Sequence, residues 1–425
     1  MSKLRIVRVS STEPYLLMAW MVCLVGTFFY CYEYILRIGP GIIGSNLMSE
    51  FHLSASQYGT FGSYYYYAYV PLQLIVGILL DRYGPRRLLI GACLLCIFGS
   101  LSFSSAHSLL GLKISRFLIG FGSSFAFVGA LKAATLWFPP RNFAAVSGVI
   151  TSSGMFAAMG GAIAVNHFVG LWGWRLTFNA AGWLGFIIVF LMMIFVHDKV
   201  RVSHETYVPE LSFKEVFLGM MKSLRNFRLW IIAFSGLALF APITVFAEFW
   251  AVPYFKAYGL TGNQCAWAVA MIFLGWAPGA AFHGWISDRL RRRILFLFTG
   301  SAISAFLLIF LFFSPNLPSY LLLILMLCLG VATSSQVLVF ALSREVSPQY
   351  FAATAVAITN VFVMLGGILQ KAIGYLLDSF AGSVPNLATN SYSLSDFNRA
   401  LMLLPALLLC GLATLTIYKI GGDRQ

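Results

Sequence analysis

The sequence predicts an all-α membrane protein of twelve transmembrane helices in two pseudo-symmetric six-helix bundles, with both termini cytoplasmic. Three observations carry that expectation. Of 425 residues, 60% are apolar and only 10% charged, at a mean hydropathy of +0.84, whereas a soluble chain needs about 25% charge to cover its surface. Lys and Arg outside the helices are confined to alternate loops. A charged loop motif recurs at about half the chain length. A net charge of +14 would otherwise suggest nucleic-acid binding, but its placement points to topology, and the composition is a poor fit to a cytosolic enzyme or a secreted disulfide scaffold.

Apolar runs long enough to cross a bilayer fall at about 15–38 (or to 48, if the helix continues past Pro40), 57–80, 88–106, 109–137, 143–165, 175–197, 228–257, 262–287, 294–313, 319–342, 351–378 and 398–420. With the N-terminus inside, the inside segments hold 20 of the 28 Lys and Arg and the outside loops none, the asymmetry expected of a multi-pass protein of a bacterial inner membrane. Lys3, Arg5 and Arg8 precede an apolar stretch too long for a cleaved signal, so the first helix reads as a signal anchor. All seven cysteines fall inside predicted helices and read as small apolar packers. No metal site and no cofactor are expected.

The longest inside segment, 198–227, reads as a cytoplasmic linker between an N-terminal bundle, 1–197, and a C-terminal bundle, 228–425. Gly77, Asp81, Arg82, Gly84, Arg86 and Arg87 follow helix two; Gly284, Asp288, Arg289, Arg291, Arg292 and Arg293 follow helix eight. Gly to Gly and Asp to Asp are both 207 residues apart, which suggests duplicated bundles. The first copy resembles the G-x-x-x-D-R-x-G-x-R-R loop of the major facilitator superfamily, and the second resembles its degenerate partner. The expected role of Gly77 is close approach to a neighbouring helix. Asp81, with Arg82, Arg86, Arg87 and their counterparts Asp288 and Arg289, is expected to form a breakable charge cluster that gates the inside face.

Glu33 in helix one and Glu248 in helix seven are the acids deep inside apolar runs, and these helices are the first of each half. Ionised carboxylates at that depth need a partner. Tyr30, Glu33, Tyr34 and Arg37 share one face of helix one, and Tyr65 or Tyr66, Tyr69, Gln73 and Gly77 share a face of helix two. Tyr30, Tyr34, Arg37, Tyr69 and Gln73 resemble the anion-binding constellation of the organophosphate and anion:cation symporter branch. Gln73 stands where the phosphate exchangers have Lys, which argues against phosphate esters. Arg116, Gly120 and Gly122 resemble the R-F-x-x-G-x-G segment of the superfamily, where a proton-carrying acid commonly follows. This chain has Ser123 there, which moves the expected proton-coupling role to Glu33, with Glu248 second. Desolvation favours the neutral form of Glu33 and Arg37 favours the charged form, so the balance responds to substrate on Arg37. Arg116 is expected either to contact substrate or to tie backbone carbonyls. Among the polar groups of the second half, Glu248 and Asn360 stand out as substrate-binding candidates; Thr244, Thr333, Ser334, Ser335 and Gln336 are also near mid-depth. Lys371 is expected to snorkel or to pair with Asp378.

The run from F-Y-C-Y-E-Y-I-L-R-I-G-P through Y-Y-Y-Y-A-Y to the motif loop resembles the phagosomal-transporter-like branch of intracellular Gammaproteobacteria, which implies uptake of amino acids, nucleosides or siderophores. The expected function is therefore secondary active transport, not enzymatic: proton-coupled uptake of a small polar organic nutrient, such as an amino acid, nucleoside or organic anion, by alternating access. Proton-driven export or import of a siderophore or drug-like compound is the alternative, and a non-transporting membrane receptor a remoter one. The expected partners are a small-molecule substrate, protons and membrane lipids, with no nucleic acid and a monomeric state.

Overall fold

A computed structural model describes residues 13–138, 140–197, 221, 225–347, 352–381 and 392–422. The linker expected at 198–227 and the tails that carry Lys3, Arg5, Arg8 and Arg424 lie largely outside these residues. Helix α1 (Glu13–Ile42) runs through Pro40 and is followed by α2 (Gly44–Glu50), so the longer reading of helix one holds. α3 (Ala55–Tyr83) starts at a capping box in which the Ser54 hydroxyl accepts from the Gln57 amide and Gln57 answers the Ser54 amide. α4 (Pro85–Ser104), α5 (Leu109–Ser123), α6 (Ala126–Trp137) and α7 (Pro140–Phe195) complete this half.

The second half comprises α8 (Phe227–Ala241), a π-helical stretch over Pro242–Trp250, α9 (Ala251–Ala257), α10 (Gly262–Leu290), α11 (Arg293–Phe313), α12 (Ser319–Thr333), α13 (Leu338–Glu345), α14 (Ala352–Leu365), α15 (Leu369–Phe380), α16 (Leu394–Leu401) and α17 (Leu403–Gly422). Eleven helical segments among the described residues are long and apolar enough to cross a bilayer. One of them, Ala145–Phe195, is 51 residues long, about 77 Å of helix against a hydrocarbon core of about 30 Å. The expected loop between helices five and six is thus helical almost throughout. The turn is concentrated at Gly173 (φ 75°, ψ 164°), a conformation that a Cβ would disfavour.

The two halves are sealed together at the end of the molecule opposite the arginine-rich loops. Asp378 of α15 accepts from the Ala55 and Ser56 amides at 3.0 and 2.9 Å, at the first turn of α3, and Tyr392 donates to the same carboxylate. The carboxylate thus satisfies helix N-terminal donors that have no partner within α3 and meets the positive end of its dipole. This corrects the expected pairing of Asp378 with Lys371, which is exposed. Tyr58 stacks on Phe249 at 4.2 Å between ring centroids. Backbones meet directly here: a Cβ on Gly374 would lie 2.2 Å from the Ala55 carbonyl oxygen, one on Gly59 2.4 Å from that of Gln370, and one on Gly41 2.1 Å from that of Glu248.

The other end differs. A Cβ on Gly77 or Gly284 would meet nothing within 4 Å, so the close helix approach expected at Gly77 is not made in this conformation; the glycines of α3 that do bring helices together are at its opposite end. Gly374→Val should therefore hold the sealed end open. The check is labelling of an introduced cysteine, Ser63→Cys, at a position where the native hydroxyl donates to the Ile368 carbonyl across the seam. Labelling several-fold faster with Gly374→Val is expected, and equal rates would contradict the seam.

Candidate substrate and coupling site

The 3.6-residue period of α1 puts Tyr30, Glu33, Tyr34 and Arg37 on one stripe, and the structure turns that stripe inward: all four are buried. Arg37 is the hub. Its Nη2 donates to Glu33 Oε1 at 2.9 Å, its Nε donates to the Tyr65 hydroxyl at 2.8 Å, and its Nη1 lies 3.9 Å from Glu248 Oε1 in the other half of the chain. Tyr65 in turn donates to Glu33 Oε2 at 3.1 Å. The rings of Tyr34, Tyr65 and Tyr69 surround the guanidinium at 4.4, 5.2 and 5.2 Å from their centroids, a cation–π enclosure that is strengthened by burial.

Glu248 lies in the π-helical stretch Pro242–Trp250, and Tyr66 donates to its Oε2. Its Oε1 has no hydrogen-bond partner among the described residues. By sequence it has no basic neighbour within a helical turn; in the fold Arg37 supplies one from across the molecule. The π register has its own supports, since the Trp250 indole donates to the Gln370 carbonyl at 3.1 Å and Gln370 Nε2 donates to the Thr244 carbonyl at 2.7 Å. π-helical segments occur disproportionately at functional sites.

Arg116 takes the carbonyl-tying role of the two expected for it. Pro40 has no N–H, so the Leu36 carbonyl lacks its donor four residues on. Arg116 Nη1 reaches that carbonyl at 3.0 Å, and Nη2 reaches the Arg37 carbonyl at 2.8 Å. The guanidinium mends the helix at its proline and fixes the backbone that carries Arg37, while stacking on the Tyr65 ring at 4.8 Å. Its Nε is buried with no hydrogen-bond partner among the described residues.

Gln73 and Asn360 form a separate bridge between the halves. Asn360 Nδ2 donates to Gln73 Oε1 at 3.0 Å, and Gln73 Nε2 reaches the Ser124 carbonyl at 3.4 Å. Neither hydrogen-bonds to the Arg37 cluster. The hydroxyls of Thr244, Thr333, Ser334 and Ser335 all turn back onto carbonyls of their own chain segment, as helix-borne hydroxyls commonly do.

Of the gating candidates, Asp81 ends α3, but its side chain lies outside the described residues. Gly84 is the positive-φ C-cap of α3 (φ 78°), Arg82 and Arg87 are exposed, and Arg86 donates to the Met193 carbonyl at 2.7 Å. Asp288 pairs with Arg293 at 2.9 Å, and Arg289 lies 5.5 Å over the Trp285 ring. Two central residues are absent from the expected core set as a pair: Tyr65 and Tyr66 both enter the site, one for each carboxylate. The signal was their spacing of four and three residues before Tyr69.

Residues 18–370 match the family model described as Major Facilitator Superfamily. The chain is 26% identical over 371 residues to a probable sulfoacetate transporter of Cupriavidus necator, covering 82% of this chain and 85% of that one. To the gentisate transporter of Corynebacterium glutamicum it is 24% identical over 386 residues, 87% of this chain and 82% of that one. A bacterial homologue of the human lysosomal transporter Spinster, in an inward-facing and unoccupied conformation, shares the fold with a TM-score of 0.80 over 96% of this chain and 97% of that one, at 16% identity. With a helical membrane fold, a central buried charge cluster and a family match over most of its length, the chain belongs to the Major Facilitator Superfamily and is a membrane transporter.

Proposed function

We propose that the protein carries out proton-coupled uptake of a small organic anion, with a carboxylate or sulfonate as the recognised group, across a bacterial inner membrane. The observation that carries this reading is the position of Arg37 between Glu33 and Glu248. The fully buried charged side chains among the described residues are Arg37, Arg116, Glu33 and Glu248, and together they are neutral when all are ionised. A guanidinium suits a planar or tetrahedral oxyanion through paired N–H donors. An incoming anion on Arg37 leaves one negative charge too many in a buried site, where each uncompensated ion costs several kcal/mol. Protonation of Glu33 restores neutrality, and its deprotonation later returns Arg37 to Glu33. Glu248 is the second candidate for the proton.

The anion reading draws support from the relatives: sulfoacetate and gentisate, the molecules in their names, are both organic anions. Two bundles, 1–197 and 228–425, joined by a cytoplasmic linker at 198–227, would rock about the Arg37–Glu248 and Gln73–Asn360 contacts. The loop of Asp81, Arg82, Arg86 and Arg87 would close the cytoplasmic face in the opposite state. Tyr30, Tyr34, Tyr69, Gln73 and Asn360 would line the path beside Arg37.

Three outcomes follow for protein in liposomes. Arg37→Lys should lose most uptake of organic anions although the charge is kept, because an ammonium cannot hold Glu33 and Tyr65 and still offer a forked pair; unchanged affinity would make Arg37 a structural ion. Glu33→Gln should abolish accumulation driven by a pH gradient while retaining exchange at equal pH, and full accumulation would move the proton elsewhere. Asp81→Asn should slow transport with binding affinity kept within a few-fold; loss of binding in folded protein would reject the gating role.

A further inference from the structure

Where α10 ends and α11 begins, a cavity of about 1190 Å³ opens at the arginine-rich end of the second half, and none of its lining residues belongs to the Arg37 cluster. Arg291, Arg292 and Arg293 form its rim, and Leu295, Phe298 and Leu415 its apolar wall. Both acids of the rim are engaged by one guanidinium: Arg293 Nη2 lies 2.9 Å from Asp288 Oδ1, and its Nε lies 2.8 Å from Glu345 Oε1. Arg291 and Arg292 are exposed, and neither makes an ion pair or hydrogen bond with a described residue.

The internal repeat makes Arg291 informative. At the same offset of 207 residues, Arg291 stands where the first copy has Gly84, and Arg292 where it has Pro85. Both turn positions have positive φ, 78° at Gly84 and 51° at Arg291. Glycine adopts that conformation freely, whereas an L side chain disfavours it. The second loop therefore keeps a positive φ but turns in the left-handed helical region, with ψ 34° at Arg291 against 156° at Gly84, and carries two arginines in place of glycine and proline. Turn geometry gives no reason for that exchange, and inside topology asks only for positive charge, not for two guanidinium groups left unpaired at the mouth of a cavity.

Depth supplies the ligand's other half. The apolar spans end at Leu290, Glu345 and Ile417 and begin at Arg293, so the rim lies at the membrane boundary. Just inside it, Leu295 and Phe298 are 45% and 42% exposed. Charged donors at headgroup level above an open apolar wall match a phospholipid, and the surplus positive charge on the rim favours an anionic one. We propose that this cavity binds an anionic phospholipid of the leaflet on the arginine-rich side, with its phosphate between Arg291 and Arg292 and its acyl chains along Leu295 and Phe298.

The test is binding of dioleoylphosphatidylglycerol to the purified full-length protein in neutral detergent, followed by native mass spectrometry, with dioleoylphosphatidylcholine and inorganic phosphate as comparison probes. Phosphatidylglycerol should bind in preference to phosphatidylcholine. Arg291→Gln/Arg292→Gln should weaken it about tenfold or more, and Phe298→Ser should weaken it as well. Lys199→Gln/Arg201→Gln, which removes the same charge from the segment between the halves, should leave it unchanged. Arg291→Gly, which relieves the backbone strain, should keep or raise the thermal stability of the lipid-free protein and lose the stabilisation that phosphatidylglycerol confers. Equal loss with the Lys199 and Arg201 pair, or no loss with the Arg291 and Arg292 pair, would overturn the site. Displacement of the lipid by millimolar inorganic phosphate, with Phe298→Ser silent, would show a free-anion site instead and overturn the lipid assignment.

Discussion

A guanidinium held out of water between two carboxylates from opposite halves of the chain governs this structure. Arg37 is bonded to Glu33 on its own helix and lies 3.9 Å from Glu248 Oε1 in the other half. Removing one member strands a buried charge, a loss commonly of about 3–5 kcal/mol, so the three side chains act as a unit. The apparatus around them serves that unit. Arg116 repairs the backbone at Pro40, Tyr65 and Tyr66 each satisfy one carboxylate, and the π register of Pro242–Trp250 carries Glu248.

In the proposed mechanism the same cluster links chemistry to motion. The Arg37–Glu248 contact crosses between the halves, as do the seal around Asp378 and the Gln73–Asn360 bridge. At the sealed end, glycines let backbones meet at distances where a Cβ would collide; at the arginine-rich end, Gly77 and Gly284 face open space. Such backbone contacts are made only when the seam is closed and are lost steeply as it opens, which favours two discrete arrangements over a continuum. A ligand that takes Arg37 from its carboxylates changes one of the contacts that hold the halves together. That differential contact is what a population shift requires.

Legibility in the sequence followed the range of the interactions. Tyr30, Glu33, Tyr34 and Arg37 could be grouped because one helix period joins them, and Glu248 because an acid in an apolar run needs a reason to be there. The proximity of Glu248 to Arg37 could be suspected only from the helices being equivalent, since no local pattern encodes a distance across the fold. The role of Arg116 had a local clue in the proline that removes the donor from the Leu36 carbonyl, yet nothing in sequence says which neighbouring helix supplies the replacement. Gly77 is expected from the motif to bring helices together, yet in this structure the close approaches of α3 fall at Gly59 and Gly62 instead. The break between helices five and six was legible as the gap at 166–174, but not its confinement to Gly173.

The central claim is that an anion on Arg37 displaces a carboxylate, which then takes up a proton. Proton uptake on binding measures this directly: purified protein in weakly buffered solution near neutral pH is titrated with carboxylates and sulfonates, and the pH change is recorded for those that bind. Close to one proton taken up per bound anion is the predicted result. Anion binding with no proton exchanged would contradict the account, because the buried cluster would then carry the added charge without compensation.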